Sequence, residues 1–158
     1  MSFKLSDRSV SHLSGVHPEL RSVVQRAIEL TRTDFGVIHG VRLLAEQEAL
    51  FKKGASKTMN SYHLLQEDGF GHAVDLMAYV GSRSSWEMSL YDDLADAMKE
   101  AALEKGAHIR WGGAWTVDNI SLWDGTMQEA MDSYIDTRRS QGRRPFIDGP
   151  HFELRSIA

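Results

Sequence analysis

Apolar residues recur at helical spacing from Pro18 to Leu30. Leu20, Val23, Val24, Ala27 and Ile28 follow the i, i+3, i+4, i+7, i+8 rule and form one stripe. Pro18 suits the first turn of that helix, where a missing N–H leaves no bond unmade. Residues 35–41 then read as a short strand and 45–53 as a helix that Gly54 ends. Residues 73–80 are apolar and strand-like. The next helix spans 89–105, with Leu90, Leu94, Ala97, Met98 and Ala101 on one face and Gly106 as its stop. A strand is expected over 108–111. Met127, Ala130, Met131, Tyr134 and Ile135 mark a further helical face. Residues 138–144 read as a polar, basic loop, and 151–155 as a final strand. Helices alternating with short strands and tight turns predict an α+β fold, with a small, mostly antiparallel sheet flanked by helices.

Composition narrows the function classes. The chain has 158 residues, 42% hydrophobic and 25% charged, which fits one soluble globular domain over 1–158. Cysteine is absent, which excludes disulfides, thiolate metal sites and cysteine nucleophiles. A net charge of −4 lacks the basic excess of a dedicated nucleic-acid binder. No apolar run approaches a membrane span, and the opening residues have no signal-peptide core, so no membrane anchor and synthesis in a cytoplasm are expected.

Candidate chemistry lies in the 7 histidines. His12 and His17 sit in polar surroundings and read as surface residues. His39 and His108 fall in expected strands and read as packed or hydrogen-bonded. His63, His72 and His151 stand in more informative segments, Ser61-Tyr62-His63, Gly71-His72-Ala73-Val74-Asp75 and Asp148-Gly149-Pro150-His151-Phe152-Glu153. No HExxH helix is present. A histidine, an aspartate at a strand start and a late histidine make up a common catalytic zinc shell, one that leaves a fourth position for water.

These segments resemble a known family. Ser61-x-His63, continued by Gly71-x-Ala73-x-Asp75, is similar to the SxHxxGxAxD motif of zinc peptidases that cut peptidoglycan stem peptides. Gly40-Val41-Arg42 with Gln47 and Gly54 resembles the family's GxR…Q…G segment. Trp111-Gly112-Gly113-Ala114-Trp115 resembles its WGGxW segment, and Asp148-x-x-His151-x-Glu153 its terminal segment. The opening residues and the helix beginning at Pro18 are closest to single-domain phage endolysins. One departure stands out: seven residues, not the family's two, separate His63 from Gly71. The polar run Gln66-Glu67-Asp68-Gly69 is expected to form a turn that absorbs the insertion. His72 is the rival ligand, but in an extended segment it would point away from Asp75, which favours His63.

The resemblance implies a hedgehog/DD-peptidase-like zinc peptidase fold, and Zn2+ held by His63, Asp75 and His151. It implies Asp148 as the catalytic acid/base, and Arg42 as a group that binds a substrate carboxylate or steadies the oxyanion. Ser61 and Trp115 would contact substrate, Trp111 and Trp115 being equally suited to the core. Glu153 would orient a metal-bound histidine, and Gln47 would be structural. The implied activity is a phage-type endolysin that cleaves the L-Ala–D-Glu bond of the stem peptide and lyses the bacterium. It would act as a monomer in the periplasm after holin release. A D-Ala-D-Ala carboxypeptidase or dipeptidase, or a non-catalytic zinc-stabilised wall-binding domain, are the alternatives. The stretch between Trp115 and Asp148 is expected to form a lid or rim. Metal affinity is expected to fall below about pH 6.5, where free imidazole protonates.

Overall fold

The computed structural model describes residues 3–54 and 61–155. A short helix, α1 (Asp7–His12), opens the chain, capped by the Ser6 side chain. The amphipathic stripe becomes α2 (Pro18–Leu30) with the expected bounds, and its five stripe residues are buried. His17 is not a plain surface residue. It caps α2, its Nδ1 accepting from the Glu19 N–H at 3.0 Å. First-turn N–H groups have no intrahelical partner, so a side-chain acceptor at this position is stabilising.

Strand β1 (Asp34–His39), helix α3 (Leu44–Lys52) and strand β2 (Ala73–Val80) follow. Strand β1 begins one residue before and ends two residues before the expected bounds, at the close approach of Gly40 to α1. A Cβ there would lie 2.0 Å from the His12 carbonyl oxygen. After β2 come β3 (Arg83–Ser85), α4 (Met88–Lys105), β4 (Ile109–Trp111), a 3-10 turn (Ile120–Leu122), α5 (Met127–Ser140) and β5 (His151–Leu154). The expected loop over 138–144 is partly helical. Helix α5 starts at a Thr126–Glu129 capping box and continues through Arg138 and Arg139, cations that complement the negative end of the helix dipole.

Every strand ladder in the sheet is antiparallel. Strand β2 lies at its centre. β1 runs along one edge, while β5 and β3 share the other, and β4 adds beyond β5. Val74, Leu76 and Ala78 of β2, with Phe152 and Leu154 of β5, are buried in the core that α2 and α4 complete. Alternation then sends Asp75, His151 and Glu153 to the opposite face. Register does the rest. Asp75 pairs with His39 on one side and His151 on the other, so these three side chains form a row across the sheet.

The stretch expected as a lid is largely anchored. Met127, Ala130 and Tyr134 of α5 are buried, and the Tyr134 hydroxyl donates to the Phe146 carbonyl at 3.0 Å. Only its far end, at Phe146, reaches the cleft described below, as a rim.

One acidic cluster carries a stability prediction. Burial, and then the charges of Asp96, Asp93 and Asp132, push the Asp92 carboxyl up to about 6. A group with a raised folded pKa stabilises fully below its unfolded pKa and loses that contribution as pH rises through the folded value. Asp92→Asn is therefore expected to raise Tm at pH 7 and to have little effect at pH 4, as read by thermal melts at the two pH values.

Candidate active site

Asp75 gathers the site. Its Oδ1 lies 3.3 Å from His63 Nε2 and 3.3 Å from His151 Nδ1. Its Oδ2 faces His39 Nδ1 at 3.2 Å and Arg42 Nη2 at 3.8 Å. His39 is hydrogen-bonded, as expected, but it is exposed rather than packed. His63 enters from the loop before β2. Its Nδ1 is 2.8 Å from the Gly40 carbonyl, and its backbone N–H donates to Ser61 Oγ at 3.1 Å. Ser61 thus shapes the loop that carries His63.

The seven-residue insertion leaves His63 in place. A bridge between Leu65 and Gly71 closes it, as do Gln66 N–H to Phe70 O at 2.8 Å and His72 N–H to Tyr62 O at 2.7 Å. His72 is outside the Asp75 cluster. Its Nε2 lies 2.7 Å from Asp68, a residue of the insertion itself.

Among the described residues, His/Asp groups near enough to share a metal occur twice, at His63–Asp75–His151 and at His17–Asp68–His72. Proton placement separates them. In the first, His63 Nδ1 faces a carbonyl that can only accept, and His151 Nε2 faces Glu153 Oε1 at 2.9 Å. Each ring can therefore donate outward and present its other nitrogen to a cation beside Asp75 Oδ1. Two such nitrogens and a carboxylate oxygen close to one point fit a metal ion. In the second, His17 Nδ1 already accepts from Glu19, so the neutral ring carries its proton on the Nε2 that faces Asp68, 3.8 Å away. That set is a clamp, a hydrogen bond from His72 to Asp68 within the insertion and a longer ionic approach of Asp68 to His17 at the start of α2, and with a proton on His17 Nε2 it does not fit a metal.

The electrostatics agree. Burial alone would raise the Asp75 carboxyl, but hydrogen bonds from His151, His39 and His63 hold it well below the ordinary range. Burial would lower His151, yet Asp75 and Glu153 outweigh it and lift the imidazole to about 10. Without a metal, one proton on His151 serves the site's demand for positive charge. Metal uptake must displace that proton, so affinity is expected to climb with pH through the neutral range, beyond the 6.5 threshold expected for a free imidazole.

Asp148 lines the same cleft, a cavity of about 760 Å³. Burial and then the Asp75 charge raise its carboxyl, against the opposing pull of His151, His63 and Arg42. Its place is set by the Trp-Gly-Gly segment. Asp148 N–H donates to Gly112 O at 2.9 Å, Gly112 N–H donates to His151 O at 2.9 Å, and Trp111 Nε1–H donates to Gly149 O at 2.7 Å. Trp111 is fully buried and belongs to the core, while Trp115 lines the cleft with its ring 5.5 Å from that of His151. A Cβ at Gly112 would meet the Asp148 carbonyl at 2.2 Å. Gly112→Ala is therefore expected to move Asp148 and lower turnover about 100-fold, since small misplacements near reacting groups have effects of that size. Retained metal in the variant would locate the damage at Asp148.

Arg42 is held from behind. Its Nη1 donates to the Oε1 of buried Gln47 at 2.8 Å, and its backbone N–H donates to the His63 carbonyl at 2.8 Å. Sequence reasoning missed two parts of this site, the contact of His39 with Asp75 and the arginines Arg110 and Arg155 beside Glu153, and, outside it, the His17–Asp68–His72 clamp. Only the strand register and the loop closure bring these together.

The chain is 30% identical over 158 residues to the L-alanyl-D-glutamate peptidase of Escherichia phage T5, covering 98% of this chain and 99% of that one. A Listeria phage L-alanyl-D-glutamate peptidase is 26% identical over 120 residues, which span 73% of this chain and 40% of that protein. The crystal structure of the Serratia marcescens L-Ala D-Glu endopeptidase ChiX superposes with a TM-score of 0.71 at 30% identity, covering 98% of this chain and 91% of that one. The fold expected from the sequence is therefore shared with a solved peptidase. The family profile described as phage L-alanyl-D-glutamate peptidase matches residues 1–155, and the chain belongs to that family.

Proposed function

We propose that this chain is a zinc-dependent endolysin that hydrolyses the L-Ala–D-Glu bond of peptidoglycan stem peptides, with His63, Asp75 and His151 as metal ligands. The observation that carries the reading is the convergence of His63 Nε2 and His151 Nδ1 on Asp75 Oδ1, each ring fixed from behind by an acceptor. Two imidazoles and a carboxylate suit zinc and leave room for water and substrate. Bound there, zinc supplies Lewis acidity toward the scissile carbonyl and lowers the pKa of water to about 7.

The chain's own groups do the rest. Asp148 accepts a proton from the attacking water as its oxygen bonds to the L-Ala carbonyl carbon. It then delivers that proton to the D-Glu nitrogen as the C–N bond breaks, and the second proton of the water passes from the new carboxyl group to the amine, leaving a carboxylate and an ammonium group. Arg42, oriented by Gln47, steadies the oxyanion of the tetrahedral stage. Glu153 keeps His151 turned toward Asp75. Trp115 contributes one wall of the cleft. Every one of these groups comes from residues 1–158, which act as one catalytic domain and as a monomer. The site of action is the bacterial wall, reached after holin release. Among the described residues, no helix is long and apolar enough to cross a membrane.

Dye release from labelled peptidoglycan tests the metal requirement. Chelator is expected to abolish release and added zinc to restore it. Release unchanged in protein shown to be metal-free would overturn the proposal.

A further inference from the structure

The cleft has a second cationic end, on the far side of Glu153 from His151. Arg110 donates from Nε and Nη2 to the Trp115 carbonyl at 2.9 and 2.6 Å, and its guanidinium lies 5.1 Å above the Trp115 ring. These contacts fix the plane of the fork and leave Nη1 3.9 Å from Glu153 Oε2. Arg155 donates from Nη1 to the same Oε2 at 3.2 Å and lies 5.6 Å over the Tyr62 ring. Both guanidiniums line the cleft and stay partly open to solvent, 27% and 29% exposed.

The two guanidiniums share one buried carboxylate, since Glu153 Oε2 meets both Arg110 and Arg155. Asp118 lies 3.4 Å from Arg155, but it is a solvent-exposed rim residue whose other oxygen is engaged by His108 at 2.9 Å. Arg42 is not part of this end, since Gln47 and Asp75 hold it. A stacked, pinned arginine pair that shares one buried carboxylate and stays partly open to solvent is preorganised for a second carboxylate, held by charge-assisted hydrogen bonds from both guanidiniums.

We propose that Arg110 and Arg155 form a carboxylate-binding subsite for the glutamyl residue on the leaving side of the scissile bond. The proposal rests on the endopeptidase reading above. A glutamyl residue has two carboxyl groups and chain continuation uses one, so the other remains a free anion whichever linkage the chain takes. That anion sits on the residue whose amine departs, and the subsite would hold it while Asp148 protonates the nitrogen.

The test uses two stem peptides that differ only in this group, carboxylate in one and carboxamide in the other, with the full-length chain and its Arg110→Gln, Arg155→Gln and Arg155→Lys variants. Wild type is expected to favour the carboxylate by about 10-fold or more, mainly through KM, as a lost charge-assisted hydrogen bond implies. Both glutamine variants should lose that preference, so that their rates on the two peptides converge, while Arg155→Lys should keep part of the preference. Absence of preference in wild type would overturn the subsite. So would equal losses on both peptides, which would assign the arginines to holding Glu153 and Trp115. Should wild type cleave neither peptide, the endopeptidase reading fails by itself. NMR titration with D-glutamate against D-glutamine then decides the subsite: selective binding of D-glutamate that disappears in Arg110→Gln supports it, and no selectivity overturns it.

Discussion

Asp148→Asn is expected to lower kcat by about 10²–10⁴-fold, the usual range for removing a positioned acid/base, while metal content stays at the wild-type level. The substitution keeps the shape of a side chain held in place by the Asp148–Gly112 and Gly112–His151 backbone bonds. An amide cannot take the proton from water, so the chemistry stops with the geometry intact. The pH profile carries the same assignment. Burial and the Asp75 charge raise the Asp148 carboxyl, so the acid limb of the wild-type rate should lie above the range of an ordinary carboxylate. Stability should move the opposite way. A raised folded pKa means that the group's stabilisation is full below its unfolded pKa and lost as pH rises through the folded value. Metal-free Asp148→Asn should therefore melt above metal-free wild type at pH 7. Turnover, metal analysis and melting on the same preparations check all three. A variant that keeps full turnover would remove Asp148 from the mechanism.

The second large effect is expected at Asp75. Asp75→Asn should reduce metal affinity by more than the roughly 10–100-fold that follows loss of an outer partner, and turnover should fall to background. His63 Nε2 and His151 Nδ1 both face Asp75 Oδ1, and no other carboxylate among the described residues stands in register between His39 and His151. The metal-free protein should also lose stability at neutral pH, because removing one partner of a buried charge pair costs about 3–5 kcal/mol. Asp75 has a depressed pKa, so its contribution is present above the ordinary carboxylate range and lost as pH falls through its folded value. His151 has the reverse sense. Its contribution is full below 6.5 and lost as pH rises toward about 10. The stability gap between metal-free wild type and Asp75→Asn should thus be widest between these limits and close toward acid pH. Metal analysis and melts across pH give both results.

How much of this was legible depends on the range of the interactions. Helix α2 and strand β2 have the bounds expected from the sequence, since a one-sided apolar stripe with Pro18 at its start, and a continuous apolar run, are local signals. Helix α1 and strand β3 carried no such signal. One is a single capped stretch of mostly polar residues, and the other a three-residue edge of Arg83, Ser84 and Ser85. The extension of α5 through Arg139 was hidden because charge density resembles a loop whether or not a helix dipole orders it. At the site, His63, Asp75 and His151 were named through motif resemblance, and spacing alone left His72 in contention. The structure separates the two by closing the insertion on itself. The contact of His39 with Asp75, the capping role of His17 and the Arg110–Glu153–Arg155 group depend on strand register and loop closure. Such pairings join residues distant in the chain and leave no periodic trace.

The most direct measurement is mass spectrometry of peptidoglycan fragments after digestion by wild type and by Asp75→Asn. The account predicts fragments with a new amino terminus at D-Glu from wild type, and none from the variant. Release of D-Ala without such fragments, or equal cleavage by both proteins, would contradict it.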